Sequence, residues 1–353
     1  MRVMVAMSGG VDSSVAAALL AEEGHEVVGA TLKLWGGPSD SGCCSVADVD
    51  DARRVAQQLG LDHHVFNMTG EFEAAVVAPY VAAHAAGRTP NPCIECNRHI
   101  KFSRLLERAL RLGFDALATG HHARVAGGGA GPYRLRRGAD PQKDQSYVLS
   151  MLDQPALAKV VLPVGHLTKA EVRRHAARRG LRTAGKPDSQ DVCFIHGDEG
   201  REGFLGRRLD LHPAEVVDGR TGRAVGRVEA VELVTVGQRR GMGHGDDGRR
   251  RYVVAVDLPR RRVVVGGAEE AAARRVALEV GSVTWVDRPL AAGASALAQV
   301  SAHGRPAACT YEVAGDGPAV RFVDPQRPVA PGQTVALYDP TDPDAVLGAG
   351  IAA

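Results

Sequence analysis

Residues 6–14, AMSGGVDSS, constrain this chain more than any other segment. They stand between an apolar run, residues 2–6, that reads as a buried strand and a stretch, residues 12–23, that reads as an amphipathic helix. Ser8, Gly9 and Gly10 let the backbone turn with its N–H groups pointing inward. Ser13 adds a hydroxyl and the helix start adds partial positive charge, so the segment has the parts of a phosphate cradle. It lacks the GK[ST] ending of a Walker A loop and is not GxGxxG. A ligand-free glycine turn is the competing reading, and the position at a first strand-to-helix junction weighs against it.

The surrounding pattern supports an α/β fold. Through about residue 195, short apolar runs (26–34, 63–67, 116–119) alternate with helical stretches (46–59, 69–84, 102–112), which argues for a parallel sheet covered on both faces. Ligands of such sheets sit beyond the carboxyl ends of the strands. Beyond about residue 205 the text changes to β-branched runs cut by Gly, Pro and Asp: 214–217, 231–236, 252–257, 262–265, 276–285, 319–322 and 334–338. Short strands at this spacing suggest β domains. With a seam at residues 269–275, the expected domains are 1–200, 205–272 and 276–353. Residues 127–131, GGGAG, read as a hairpin tip.

Lys+Arg 43 against Asp+Glu 41 gives a net charge of +2, so any polyanion must be held by a local patch. Residues 169–182, KAEVRRHAARRGLR, offer one on a helix, with Arg173, Arg174 and Arg178 as candidates and a plain solvated face as the alternative. Lysine is scarce, 6 against 37 arginines, which singles out Lys33, Lys101, Lys143 and Lys186 beside the segments of interest. No run of about 18 apolar residues is present, which excludes an ordinary membrane span, and no signal-peptide pattern opens the chain, so a cytoplasmic protein is expected.

Cys43, Cys44, Cys93, Cys96, Cys193 and Cys309 are too sparse for a disulfide scaffold. Cys93 and Cys96 form a CxxC without the second pair that a zinc finger needs. The prolines around Asn91 predict an extended loop ahead of a helix starting near Ile100. A thiol there, beside Arg98 and Lys101, has the setting of a thiolate nucleophile, against a buried structural cysteine as the alternative. Cys193 follows a polar loop, GKPDSQDV, and by itself is equally a core residue or a catalytic one.

The wording SGGxDS at the first strand-to-helix turn resembles the PP-loop of ATP pyrophosphatases, which split ATP between its α and β phosphates. Together with residues 43–60, ATGHHAR (118–124), KDQSYVL (143–149) and TVGQRRGMG (235–243), the chain resembles the bacterial tRNA-specific 2-thiouridylases (the MnmA family) over essentially its whole length. The resemblance implies a PP-loop domain, a small central β domain and a C-terminal β-barrel. It implies an ATP-dependent, Mg2+-assisted exchange of O2 of the wobble uridine of tRNA for sulfur, with a cysteine desulfurase or sulfur-relay protein as donor and no membrane partner. By position, Ala6, Met7, Ser8, Gly9, Gly10, Val11, Asp12, Ser13, Leu32 and Gly120 surround ATP. Cys96 is the nucleophile and Cys193 the persulfide carrier, the two closing a disulfide during turnover. Asn91, Pro92 and Cys93 contact the target base, with Asp standing at the last position in some members. His121, Lys143, Asp144, Gln145 and Gln333 contact tRNA, and Ser301 and Ala302 stand where some members carry an Arg-Tyr pair.

Two other classes stay open at this stage. A different PP-loop synthetase explains the first motif and leaves the paired cysteines unexplained. A sulfur carrier or RNA-binding protein explains the thiols and barrel and leaves the ATP loop unexplained.

Overall fold

The structure, a computed structural model, describes residues 1–35, 46–129, 131–188, 192–195, 199–245, 248–315 and 317–353. Cys43 and Cys44 lie outside the described residues.

Among the described residues, β1 (Arg2–Ala6), β2 (Glu26–Lys33), β3 (Asp62–Asn67), β4 (Ala116–Thr119) and the short β7 (Val160–Val161) form a parallel sheet in the order β3-β2-β1-β4-β7. β1 and β4 are buried on both faces, which their unbroken apolar sequence, rather than an alternating one, anticipates. The hairpin β5 (Ala123–Gly127) and β6 (Tyr133–Arg137) projects after β4. One face of the sheet carries α1 (Val11–Glu22), α2 (Val46–Gln58) and α5 (Lys169–Arg178) around Val3, Val5, Val15, Val55 and Val172. The other face carries α3 (residues 69–85) and α4 (residues 92–111) around Met4, Phe72, Ile100 and Leu117.

Three sequence readings need correction. Residues 231–236, read as a strand, hold a 3-10 turn at Val231–Leu233 instead. α1 is not amphipathic: Val11, Ser13, Ser14, Val15, Ala16, Ala17, Ala18 and Leu20 are all buried. Its small residues let the sheet and the flanking helices approach from several sides. The helix carrying the CxxC starts at Pro92, not near Ile100, because Pro92 takes the first helical position and Asn91 caps it, accepting a hydrogen bond from Cys93 N at 3.1 Å. The prolines fix the entry to the helix instead of preventing it. From Cys96 to Leu105 the helix has π geometry.

A second sheet, in the order β10-β11-β8-β9, comprises β8 (Ala214–Asp218), β9 (Ala224–Val228), β10 (Tyr252–Asp257) and β11 (Arg262–Gly266), over Val216, Val231, Met242, Val253 and Val263. The third is antiparallel, from β12 (Ala273–Ala277) and β13 (Thr284–Trp285) through β14 (Ser295–Gln299), β15 (Ala307–Ala314), β16 (Gly317–Gln326) and β17 (Thr334–Tyr338) to β18 (Val346–Ile351). A bridge between Leu278 and Ala352 draws its first strand toward its last, giving a barrel-like form.

The apolar cluster of Phe72 and Ile100 runs on into the third sheet through Val286, Tyr338 and Val346. Polar ties reinforce the junction. The Arg137 guanidinium lies 3.8 Å from the Tyr338 ring centre, Arg124 pairs with Asp344 at 2.7 Å, and Tyr147 Oη donates to Thr334 O at 2.8 Å. Cation–π contacts and buried hydrogen bonds of this kind each add about 1 kcal/mol.

Candidate active site

The strand order places β2 on one side of β1 and β4 on the other, so the chain reverses direction across the sheet between β1 and β4. Ala6 is in register with both Ala30 and Thr119, and the loops that follow β1 and β4 therefore leave the sheet side by side. This is where ligands of open parallel sheets bind. Gly9 has φ +72°, and a Cβ there would lie 2.3 Å from Asp48 O. A Cβ on Gly120 would lie 2.5 Å from Ser13 N. Only glycine leaves that approach open. Ser13 Oγ accepts from Ser8 N at 3.2 Å and donates to Gly10 O at 3.2 Å, which holds the turn. Gly10 caps α1 without a side chain, so the helix start presents bare N–H groups. These features fit an anionic phosphate ligand. Met7, Val11 and Leu32 have buried side chains, so a ligand at the loop meets backbone there, and Ala6 is half-buried.

A charge network that the sequence reading missed lies behind the loop. Asp12 accepts from Lys169 Nζ at 2.7 and 2.8 Å and pairs with His122 Nε2 at 3.0 Å. Burial opposes its charge, but the His122 and Lys169 hydrogen bonds hold its carboxyl below the usual range. Lys169 also reaches Asp188 at 2.9 Å, and Lys143 and Arg173 pair with Asp188 at 2.7 and 2.8 Å. Asp188 is partly desolvated, yet these cations push its carboxyl well down. Lys186 Nζ donates to Gly9 O at 3.0 Å and pairs with Asp48 and Asp51 at 2.6 and 2.8 Å. The segment leading to Cys193 is thus tied to the phosphate loop at both Lys186 and Asp188.

Cys96 lies one turn inside α4, buried in the same apolar cluster against which Cys193 packs. Phe194, the next residue, is buried among Trp35, Phe72, Tyr80 and Phe204, with ring centres 5.1–6.2 Å away. That cage anchors the Cys193 segment. Asn91, Pro92 and Cys93 follow Thr89, which is held from two other units. Gln333 Nε2 donates to Thr89 O, Thr89 N donates to Pro331 O at 2.8 Å, and Thr89 Oγ1 donates to Thr235 Oγ1 at 3.3 Å. The Asn91–Cys93 segment, expected to meet the target base, therefore lies close to both later domains.

Other expected contacts are placed differently. His121 is buried, with Nδ1 2.7 Å from Thr119 Oγ1 and its ring 5.7 Å from that of Phe102. Desolvation, with Lys101 nearby, keeps it neutral far below the usual histidine range. Asp144 accepts from Gly138 N, Ser146 N and Arg137, and Gln145 Oε1 accepts from His122 N at 2.8 Å, so both hold the fold together. Lys143 is the half-exposed member of that trio. Ser301 Oγ accepts from Arg327 at 3.3 Å, and Gln299 Nε2 donates to the carbonyls of Ser301 and Ala302, on the barrel. The α5 stripe is partly occupied. Arg173 donates to Ala184 O and Lys186 O as well as to Asp188, Arg179 pairs with Glu22, and Lys169 faces Asp12. A helix lying against α1 turns Lys169 and Arg173 inward, which a wheel of its sequence does not disclose, while Arg174, 3.5 Å from Glu171, and Arg178 stay exposed.

A family model described as the tRNA methyl transferase HUP domain matches residues 1–197. One described as the tRNA methyl transferase PRC-barrel domain matches residues 202–267, and one described as the aminomethyltransferase beta-barrel domain matches residues 275–352. Among curated relatives, the tRNA-specific 2-thiouridylase MnmA of Roseiflexus castenholzii is 46% identical over 376 residues, covering 99% of this chain and 98% of its own. That of Salinispora tropica is 46% identical over 359 residues, covering 98% and 97%, and that of Geobacter metallireducens is 45% identical over 360 residues, covering 99% and 96%.

Proposed function

The chain belongs to the tRNA-specific 2-thiouridylase family, and from that premise we propose that it replaces O2 of the wobble uridine of tRNA by sulfur at the expense of ATP. One observation carries this reading. The glycine loop fit for phosphate is tied through Lys186 and Asp188 to the segment bearing Cys193, and Cys193 packs on the apolar cluster that holds Cys96.

A uracil carbonyl oxygen leaves too poorly to be displaced directly. In the proposed first step, uridine O2 attacks the α-phosphorus of ATP and pyrophosphate departs. The N–H groups at Gly9 and Gly10 and the start of α1 stabilise the charge on the departing phosphates. Gly9 and Gly120 allow the backbone this close to its ligand. Mg2+ would arrive on the phosphates, neutralising charge there and keeping most of its water, with Asp12 as the nearest carboxylate of the loop.

In the second step the outer sulfur of a persulfide on Cys193 attacks C2, and AMP leaves with the original oxygen. The Cys96 thiolate then attacks the Cys193 sulfur and breaks the S–S bond. Sulfur stays on the base and a Cys96–Cys193 disulfide remains, to be reduced before the next cycle. The apolar cluster around both thiols keeps water from competing for the activated base. Asn91, Pro92 and Cys93 would receive that base, extruded from a single-stranded loop at a cost of a few kcal/mol. The sulfur donor would be a cysteine desulfurase or relay protein, and the setting the cytoplasm. Among the described residues no helix is long and apolar enough to cross a membrane.

The test is AMP formation from ATP by the purified protein. The proposal expects AMP to depend on a tRNA with uridine at the wobble position. AMP formed equally without tRNA, or with glutamine or an amino acid in its place, would favour a synthetase.

A further inference from the structure

The central β domain carries an arginine surface to which no role has yet been given. Between residues 239 and 251 the sequence holds five arginines and two aspartates, a local excess of three positive charges in a chain whose net charge is +2. The segment is a built element. Met242 is buried in the central apolar cluster, His244 and Arg250 form an antiparallel bridge, and Arg251 N donates to Gly243 O at 3.2 Å. Arg239, Arg240, Gly241, Gly243, His244 and Arg250 line one shallow concavity. The three arginines among them are exposed. Arg88, Arg136, Arg179 and Arg321 each hold a carboxylate, whereas Arg239, Arg240 and Arg250 make no ion pair among the described residues.

The position matters as much as the charge. Thr235, four residues before Arg239, meets Thr89 at 3.3 Å, and Thr89 leads directly into Asn91, Pro92 and Cys93. Gly237, between them, packs on Pro328, with only 3.0 Å from its would-be Cβ to Pro328 Cβ. The concavity is therefore tethered close to the segment expected to receive the base, on an element distinct from the phosphate loop. Exposed arginines on a glycine-rich scaffold suit phosphodiester oxygens, which accept the planar guanidinium fork in many orientations. An anticodon strand whose uridine is drawn out must have its flanking phosphates held nearby.

We propose that Arg239, Arg240 and Arg250 form a backbone clamp for the RNA strand flanking the target uridine, a role closed to Lys169, Arg173 and Arg179, which are paired with Asp12, Asp188 and Glu22. The clamp rests on the thiolation reading.

The test is the triple variant R239A/R240A/R250A, with R239K/R240K/R250K beside it, in the full chain. Binding of a wobble-uridine tRNA is titrated at several salt concentrations, and ATP and tRNA kinetics are measured. Each lost phosphate contact should lower the salt slope by about 0.7–0.9, so the alanine variant should lose about two units of slope and at least tenfold in affinity at moderate salt. The KM for tRNA should rise, while kcat at saturating tRNA and the KM for ATP stay near those of the parent. The lysine variant should recover most of the binding, which also shows that the hairpin folds. An alanine variant with parental affinity and salt slope overturns the clamp and leaves the thiolation reading intact. Failure of the parent protein to bind or thiolate tRNA overturns that reading itself. An alanine variant that binds tRNA normally but no longer accepts sulfur from a donor protein would assign the patch to an acidic protein partner and also refute the clamp.

Discussion

Adding one methyl group at Gly120 tests the geometry of the nucleotide loop without touching any charge or thiol. In Gly120→Ala the new Cβ would stand 2.5 Å from Ser13 N, 2.6 Å from the Asp12 carbonyl carbon and 2.9 Å from Asp12 Cβ. Two of these atoms are backbone, so no rotamer change relieves the clash. Reaching ordinary contact at 3.4 Å requires the two loops to part by about 0.9 Å, and misplacement by about 1 Å costs on the order of 10²-fold where catalytic groups are preorganised. The overpacking itself is expected to cost about 1–3 kcal/mol of stability. Because β1 and β4 are pinned by their register, the movement falls on the phosphate loop. The expected result is a fall of about 10²-fold in kcat/KM for ATP in tRNA-dependent AMP formation, with tRNA affinity unchanged. Parental ATP kinetics in a folded Gly120→Ala protein would refute the claim that ATP occupies the space between these loops.

Further outcomes follow from the network and the cysteine loop. Lys169→Met removes the ammonium that joins Asp12 to Asp188; it should cost about 1–3 kcal/mol in urea unfolding and raise the KM for ATP, and an unchanged KM would make Lys169 purely structural. Phe194→Ala empties the centre of the aromatic cage, with a core cost of about 3–5 kcal/mol; thiolation should fall far more than ATP binding, and the opposite ranking would separate the cage from Cys193. Burial lowers the His84 pKa to about 4, while the unfolded chain takes up its proton near the ordinary value of 6.5. Stability due to neutral His84 is therefore complete above pH 6.5, is lost as pH falls, and stops falling below about pH 4, a loss of up to about 3 kcal/mol. Urea midpoints of His84→Gln should be less sensitive to pH in that window, and a parallel shift in both proteins would show that His84 is not the group responsible.

The fold was legible where one physical signal dominated. Unbroken apolar strands with helices between them announced the parallel sheet, and β-branched runs cut by Gly and Pro announced the later sheets. The glycine loop was legible because Ser8–Gly10 break the pattern at a strand-to-helix junction, where open parallel sheets take their ligands. Local chemistry hid the rest. Pro90 and Pro92 look like helix breakers until Pro92 is seen at the first helical position with Asn91 as cap. Of the stripe over residues 169–182, Lys169, Arg173 and Arg179 prove to be turned to Asp12, Asp188 and Glu22 once α5 is seen against α1, while Arg174 and Arg178 stay exposed. His121, Asp144 and Gln145, expected to contact RNA, also make hydrogen bonds within the chain that no sequence pattern discloses. His122 could be found only from the fold, since its partner Asp12 is 110 residues away.

The central claim is that sulfur reaches the base through Cys193 after ATP has activated it. The most direct measurement is mass spectrometry of tRNA nucleosides from cells whose sole copy of this protein carries Cys193→Ser, with Cys96→Ser in parallel. The account predicts that 2-thiouridine derivatives at the wobble position disappear in both strains while the variant proteins stay folded and still bind ATP. Normal 2-thiouridine in the Cys193→Ser strain would contradict it.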